Sequence, residues 1–283
     1  MDLERKDKLL RAMLASAAGF RGLAYAAGGV SETVGGVLCW LSRSRVPLFN
    51  GAAITSGAQI NQETLDALFY YFRSRVPHTK HSVLTLDDLT PGALRQMLHY
   101  GYKEYEDLPV MWLEMHSFSP SERQAPPELS IQTLTDLEML VHFRDVLRRT
   151  FFMPRDEVEL VMGDKALEAG NVRHYLGQLD GAPVATATLV LDGDVAGVWN
   201  VGTLPEWERK GIGGAMMRHI LLDAEGLGYK ASMLLASPQG VPLYERLGYS
   251  TLDTMRVCVP DLEHESWLRF VVPGQTTDDG YEL

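Results

Sequence analysis

Cysteine is nearly absent: Cys39 and Cys258 are the only two in 283 residues. Two such residues cannot build a disulfide framework or a cysteine-based zinc site. They read as reduced thiols, which points to a reducing, cytoplasmic setting. Long apolar runs are missing as well. No stretch reaches the ~18–20 apolar residues of a membrane span, so no membrane partner is expected. The N-terminal segment MDLERKDKLLRAMLASAAGF interleaves charges with apolar residues at helical spacing, unlike a secretory leader. Positive charge is in deficit, with 26 Lys and Arg against 37 Asp and Glu and a net charge of −11. That balance argues against general nucleic-acid binding, which wants a basic face. It suits a cationic amine without demonstrating one.

Metal and nucleophile patterns are also missing. The chain has eight histidines. His99, His116, His142, His174 and His219 lack ligand-like neighbours one helical turn away. His78 and His81 lack cysteine or acidic partners nearby, so no metal is expected. His219 falls among apolar helix positions and reads as core. There is no Gly-x-Ser-x-Gly elbow.

What remains is ordinary globular material, 46% hydrophobic and 22% charged. The length suits two α/β modules. A Ser- and Pro-rich stretch, SFSPSERQAPPE at 117–128, reads as the boundary between them. The expected division is 1–118, 129–262 and a tail at 263–283. In the second half, Ser130–Leu134 reads as a strand and Thr135 as a helix cap, with Glu138 as its capping-box partner. A second helix is expected over Arg155–Ala169. Strands follow at Val172–Leu179, Pro183–Leu191 and Val195–Thr203, joined by the hairpin signals Asp180-Gly181 and Asp192-Gly193. The first half repeats this order faintly. It has a helix over Asp2–Ala27, strands at Val37–Ser42 and Pro47–Thr55, an amphipathic helix over Gln62–Arg75, a strand at Ser82–Leu86, a helix at Pro91–Tyr100 and a strand at Pro109–His116. The fold class is α/β with a mixed sheet.

The most informative segment is Leu204–Ala215, LPEWERKGIGGA. Gly211, Gly213 and Gly214 let backbone approach a ligand closely. They open a helix, whose unpaired N–H groups and positive dipole end suit a phosphate or pyrophosphate. It is not a P-loop, because Ala215-Met216 stand where Lys-Ser/Thr is needed. Nor is it the dinucleotide fingerprint, whose sixth position is Met216 here. About thirty residues on comes Leu243-Tyr244-Glu245-Arg246-Leu247-Gly248-Tyr249, then a last strand at Thr251–Val259.

In these two motifs, in this order and separation, the stretch Asn200–Tyr249 resembles the core of the GNAT (general-control-related) N-acetyltransferases. Their turn reads Gln/Arg-x-x-Gly-x-Gly/Ala, and their ending Leu-Tyr-x-x-x-Gly-Phe/Tyr. One departure is plain: Glu208 stands at the Gln/Arg position, followed by Arg209 and Lys210. The resemblance covers roughly 149–259 and is faint elsewhere. It implies a GNAT acyltransferase fold in the second half and a degenerate GNAT-like copy, or an unrelated α/β cap, in the first. The first half's turn, Ser56-Gly57-Ala58-Gln59-Ile60-Asn61, lacks Gly-x-Gly.

The resemblance also implies acetyl-coenzyme A as co-substrate, with an amine of a small molecule or peptide as acceptor. Transfer would occur by direct attack in a ternary complex. Arg209, Lys210, Gly211, Ile212, Gly213, Gly214 and Ala215 would hold the pyrophosphate. Val201, Gly202 and Thr203 would flank the pantetheine arm, and the Val201 N–H would face the thioester carbonyl. Tyr244 would protonate the leaving thiolate, while Tyr249 reads as core. The place of a general base falls near Gly197, which has no side chain; Asp194 precedes it in a turn. Asn200 and Trp199 alternate along the strand and so are expected on opposite faces, Asn200 as a substrate contact. The alternatives are a non-catalytic acyl-coenzyme A or ligand sensor, and transfer to a hydroxyl or thiol. The oligomeric state, a homodimer included, is open.

Overall fold

The computed structural model describes residues 1–77, 80–118 and 125–262. The expected tail at 263–283 and His78 lie outside the described residues.

The chain opens with helix α1 (Leu3–Ala26), capped by Asp2, whose carboxylate accepts the Arg5 N–H at 2.7 Å. Its buried stripe includes Leu9, Met13, Ala17, Phe20 and Ala24. Strands β1 (Val30–Val34) and β2 (Val37–Leu41) form a hairpin through Gly35 and Gly36, both at positive φ. Then come β3 (Asn50–Ala53), α2 (Gln62–Arg75), β4 (Ser82–Leu86), α3 (Ala93–His99) and β5 (Tyr102–Glu114). The second half runs β6 (Leu129–Thr133), α4 (Leu137–Phe151), α5 (Arg155–Val161), β7 (Val172–Leu179), β8 (Ala182–Asp192), β9 (Val195–Thr203), α6 (Ile212–Gly226), β10 (Ala231–Leu235), α7 (Val241–Arg246) and β11 (Ser250–Pro260).

All the strands join one mixed sheet, in the order β1-β2-β3-β4-β11-β5-β10-β9-β8-β7-β6. The two halves exchange their last strands. β5 of the first half pairs with β10 of the second, from Ala231↔Glu114 to Leu235↔Val110. β11 of the second half pairs with β4 of the first, from Met255↔Leu86 to Cys258↔Val83. Neighbouring side chains on a strand sort to opposite faces. Val195, Met233 and Val257 pack with α1, whereas Ala196 and Leu234 pack with α6 and α7, and Cys258 with α2 and α3. Helices α4 and α5 close the α1 side over Leu176 and Leu204.

The structure adjusts four expectations. The strand expected from Pro47 begins only at Asn50, because Pro47–Phe49 is a 3-10 turn started by the fixed φ of Pro47. The preceding hairpin strand β1, half polar and exposed, carries too little apolar signal to read from sequence. Asp136, not Thr135, caps α4 and accepts the Met139 N–H at 2.9 Å. The helix expected over 155–169 stops at Val161. Gly163 packs so closely on α1 that a Cβ there would lie 2.3 Å from the Ala26 carbonyl. Cys39 and Cys258 are buried free thiols, and burial pushes each up to about 12.

Candidate active site

The site grows from an interruption in β9. Parallel pairing of β9 with β10 runs from Val195↔Ala231 to Val198↔Leu234 and no further. Beyond it β9 follows β8 as far as Thr203↔Ala185, while the Ala236 N–H turns to the Pro109 carbonyl of β5 at 2.9 Å. The two strands therefore part after Val198, leaving the backbone of 199–203 without a strand partner on that side among the described residues. At the same place β9 carries a bulge. Thr188 faces Trp199 and Thr186 faces Gly202, so β9 spends one extra residue, and Asn200 takes φ +53°. Asparagine tolerates that conformation better than most residues.

Two threonines of β8 hold the bulge. Thr186 Oγ1 donates to the Asn200 carbonyl at 2.8 Å. Asn200 Nδ2 donates to Thr188 Oγ1 at 3.3 Å, and Thr188 Oγ1 lies 2.9 Å from His174 Nδ1. His174 Nε2 meets the Ala166 carbonyl at 3.3 Å. Burial lowers the His174 pKa to about 4. The bulge also breaks the expected alternation. Trp199 and Asn200 line the same cleft, together with Gly19 and Gly22 of α1, Ala166 and Ala169 after α5, and His174 and Thr188. Its enclosed space is small, ≈ 20 Å³, room for about one water. Gly19 is required there, since a Cβ would come within 2.1 Å of the Trp199 indole.

The glycine turn lies beside the end of β9. Arg209 and Gly211 take φ +59° and +84°, and Gly211 caps α6 without a side chain. The first helical bond is Ala215 N–H to the Gly211 carbonyl at 3.0 Å, so the amides of Ile212, Gly213 and Gly214 have no intrahelical partner. No acidic residue sits in the first turn of α6. The fold itself does not require glycine at 213 or 214: a Cβ at either would make only ordinary contacts, at 3.7 Å from Leu243 or Thr203. The open space there is what a diphosphate needs, and unpartnered amides at a helix start are its usual donors. The residues present therefore fit the diphosphate of coenzyme A. Lys210 Nζ lies over the Trp207 ring at 4.2 Å. At Gly202 a Cβ would strike Thr150 of α4 at 2.6 Å, so glycine here lets α4 close on β9.

Tyr244 is buried on α7, on the α6 side of the sheet, in the apolar cluster that includes Ile212 and against which Val201 packs. Its ring crosses Gly240, where a Cβ would fall 2.7 Å away. Burial raises the phenol to about 12, and its hydroxyl makes no hydrogen bond among the described residues. Tyr249 is different: its hydroxyl lies 2.6 Å from Ser232 Oγ, which donates to the Ala196 carbonyl, and it is core.

The structure thus brings Asn200, Val201, Gly202, Thr203 and the turn Arg209–Ala215 to one side of the β9–β10 opening. It does not bring Asp194, which is exposed and paired to Arg11 at 2.8 Å. His219 is exposed against Tyr175 rather than core. Sequence reading missed Thr186, Thr188 and the connecting role of His174. Their signal is a pairing across strands, which no local pattern carries. The first half's turn is closed by its own side chains. Gln59 Oε1 accepts from the Thr55 and Ser56 amides at 2.8 and 3.1 Å, and Asn61 Oδ1 accepts from Thr64 at 3.0 Å. Among the described residues no cluster could hold a metal ion, and no helix is long and apolar enough to cross a membrane.

Comparison with known proteins follows this geometry. Residues 140–249 match the acetyltransferase (GNAT) family. None of the curated proteins matches the sequence. Among solved structures, a GCN5-related N-acetyltransferase from Kribbella flavida superposes with a TM-score of 0.69 at 19% identity, over 88% of this chain and 95% of that one. A GCN5-related N-acetyltransferase from Sphaerobacter thermophilus gives 0.57 at 14%, over 79% and 76%. A tandem GNAT protein from the clavulanic acid biosynthesis pathway gives 0.56 at 14%, over 79% and 77%. At these identities the likeness is one of fold, and it spans both halves. The chain therefore carries a GNAT acetyltransferase domain at residues 140–249, within a mixed-sheet fold that GNAT proteins share over most of its length.

Proposed function

We propose that the protein is an acyl-coenzyme A-dependent N-acyltransferase, with acetyl as the acyl group and an amine of a small molecule or peptide as acceptor, reacting by direct attack in a ternary complex. One observation carries this reading. A helix start with bare amides lies beside a strand opening whose exposed backbone matches an amide-bearing arm. In it, the amides of Lys210–Gly214 hold the diphosphate, the expected Ala215 N–H being already donated to the Gly211 carbonyl, and the strand edge at Val201–Thr203 pairs with the pantetheine amides. The Val201 N–H points to where the thioester oxygen gains charge, a donor role that typically accounts for two to three orders of magnitude in rate. Tyr244, a phenol protonated at neutral pH and pushed up to about 12 by burial, is the group placed to deliver a proton to the departing sulfur. The 140–249 family match supports the chemistry. The two halves act as copies, the first with its phosphate turn self-capped and given over to support.

Isothermal titration with acetyl-coenzyme A tests the reading, and absence of binding at high micromolar ligand refutes it. A second reading, a sensor without turnover, is favoured by Gly197, which offers no carboxylate on the strand. Thiol release over an amine panel separates the two, since a sensor binds but forms no product.

A further inference from the structure

We propose that the acceptor carries a second cation, about 10 Å from the nitrogen that is acylated, and that Glu106 of β5 receives it. This rests on the acyl-transfer reading and adds to it a substrate class and a specificity residue.

Strand register places Glu106 at the opening. Val198, Leu234 and Met111 share one rung across β9, β10 and β5. Leu235 and Val110 lie one rung further, level with Trp199, and there β10 ends. Beyond that rung β5 and β9 face each other across the gap that β10 leaves. The bulge spends one residue of β9, so Gly202 stands level with Leu108, and Val201 with Pro109. The faces agree with this count. Trp199, Leu235, Val110 and Leu108 all pack in the α1 cluster, whereas Val201 packs on the α6 side. Glu106 is three rungs past Val201, about 10 Å along the strand. It pairs with Val257, whose side chain joins the α1 cluster, so the Glu106 side chain leaves the sheet on the α1 side. Tyr244 lies on the other side. The departing sulfur and the incoming amine thereby take opposite faces of the sheet.

Glu106 is also the charge that β5 leaves unmatched. Lys103 pairs with Asp261 at 3.1 Å, and Glu114 with Lys8 at 2.9 Å. Glu104 and Asp107 share Arg256, which also meets Asp87 at 2.7 Å. Alternation and the register shift at Val257/Cys258 turn Asp107 and Glu104 to the face opposite Glu106. Glu106 is exposed and makes no hydrogen bond or ion pair among the described residues. Partial burial, and then Asp107, raise its pKa above the ordinary carboxylate value. An arriving cation supplies the missing opposite charge and favours the ionised form.

Between Val201 and Glu106 the α1 side of the gap is apolar. Leu108 lines β5 there, and Phe49 packs against both the α1 cluster and the α4–α5 cluster that holds Leu204. Methylenes suit such a wall, whereas a charge would lose hydration without a partner. The acceptor that fits is a linear amine. Its reacting nitrogen sits at the thioester, its stem along Leu108 and Phe49, and its far ammonium or guanidinium at Glu106. In the transfer, the neutral reacting nitrogen forms the C–N bond with its lone pair, and the thioester C–S bond breaks with its electron pair on sulfur. One proton of that nitrogen passes, net, to the sulfur, giving amide and free thiol. The far cation is unchanged.

The test is thiol release by the full chain, saturated with acetyl-coenzyme A, at pH 7. Diaminooctane is compared with nonylamine, which has a methyl in place of the far ammonium, and with aminononanoate, which has a carboxylate there. Diaminooctane is expected to exceed nonylamine in kcat/KM at least about tenfold, the scale of a hydrogen bond to a charged group. The difference should lie in KM and shrink with added salt. Glu106→Gln keeps the shape and removes the charge, so it should raise the diaminooctane KM and abolish the preference, with the acetyl-coenzyme A Kd unmoved. Glu106→Asp should retain most of the preference, and Glu106→Lys should turn it toward aminononanoate. Glu104→Gln, on the opposite face, should leave it in place. Thiol release without a diaminooctane preference, a preference that survives Glu106→Gln, or a Glu106→Gln loss shared equally by kcat and acetyl-coenzyme A affinity each overturns the proposal. So does a chain that binds acetyl-coenzyme A yet releases thiol with none of the three amines. Failure to bind acetyl-coenzyme A instead sinks the acyl-transfer reading beneath it.

Discussion

Tyr244→Phe deletes one hydroxyl and leaves the packing around Gly240 and Tyr249 in place. If that hydroxyl protonates the leaving sulfur, kcat should fall about 10²–10⁴-fold, while acetyl-coenzyme A affinity changes by less than about twofold. Steady-state thiol release and calorimetry read the two quantities, and equal losses in both would make the phenol structural. The Tyr244 motif was legible in the sequence because it is local: a short run in fixed order with a glycine after it. Asn200 was legible as a residue but not as a geometry. Strict alternation puts it opposite Trp199, and the bulge overrides alternation because β8 and β9 differ by one residue in length between the same two pairings. His174 appears in the sequence only as a lone histidine. Its links to Thr188 and Ala166 join β7, β8 and the turn after α5, and a contact between separate elements leaves no periodic trace.

Among the elements, α6 and its turn make the sharpest contrast with their first-half counterpart. Both helices follow a strand and a turn. α2 starts behind Ser56 and Asn61 caps with Glu63 in its first turn, whereas α6 starts behind bare glycine with no acid. A cap oxygen and an incoming phosphate compete for the same N–H groups, so the start of α6, unlike that of α2, leaves its amides open to a phosphate. Gly213→Trp is expected to weaken acetyl-coenzyme A binding at least about tenfold, or ~1.4 kcal/mol. The melting temperature should hold within a few degrees, because the space at Gly213 is open. Unchanged affinity in calorimetry would remove the diphosphate from this turn. The helices and most strands were readable from apolar periodicity. The buried Leu65, Leu68, Phe69 and Phe72 of α2 are the expected stripe. The early end of α5 was not readable, since it depends on how closely α1 packs on Gly163.

For the molecule as a whole, the exchanged strands tie the halves together. Without the first half, β10 loses β5 as neighbour, and the sheet face around Val195 and Met233 loses its cover by α1. Glu157 of α5 adds a clamp: nearly buried, it accepts from Ser44 Oγ at 2.5 Å and from Arg45 Nε at 2.7 Å. A chain beginning at residue 125 is therefore expected to show no cooperative thermal transition by circular dichroism, and a sharp two-state melt would contradict this. Acid stability follows from two buried histidines. Burial lowers His81 to about 3 and His174 to about 4, against an unfolded value of about 6.5. Between those values the unfolded chain takes up protons that the folded chain refuses. Stability is thus fully present above about pH 6.5 and falls as pH drops, by up to about 1.4 kcal/mol per unit for each histidine. Urea midpoints should already decline from pH 7 to pH 5, and a flat profile there would show these imidazoles accept protons in place. By itself the sequence determined the α/β class, the helices, the glycine turn and the Tyr244 ending, because periodicity and short motifs act over a few neighbouring residues. Only the tertiary structure decided the strand exchange, the bulge at Asn200, the threonine and histidine support behind it and the part of α1 in the cleft. Each of these is a register or contact between segments far apart in the chain, chosen by which surfaces bury best together.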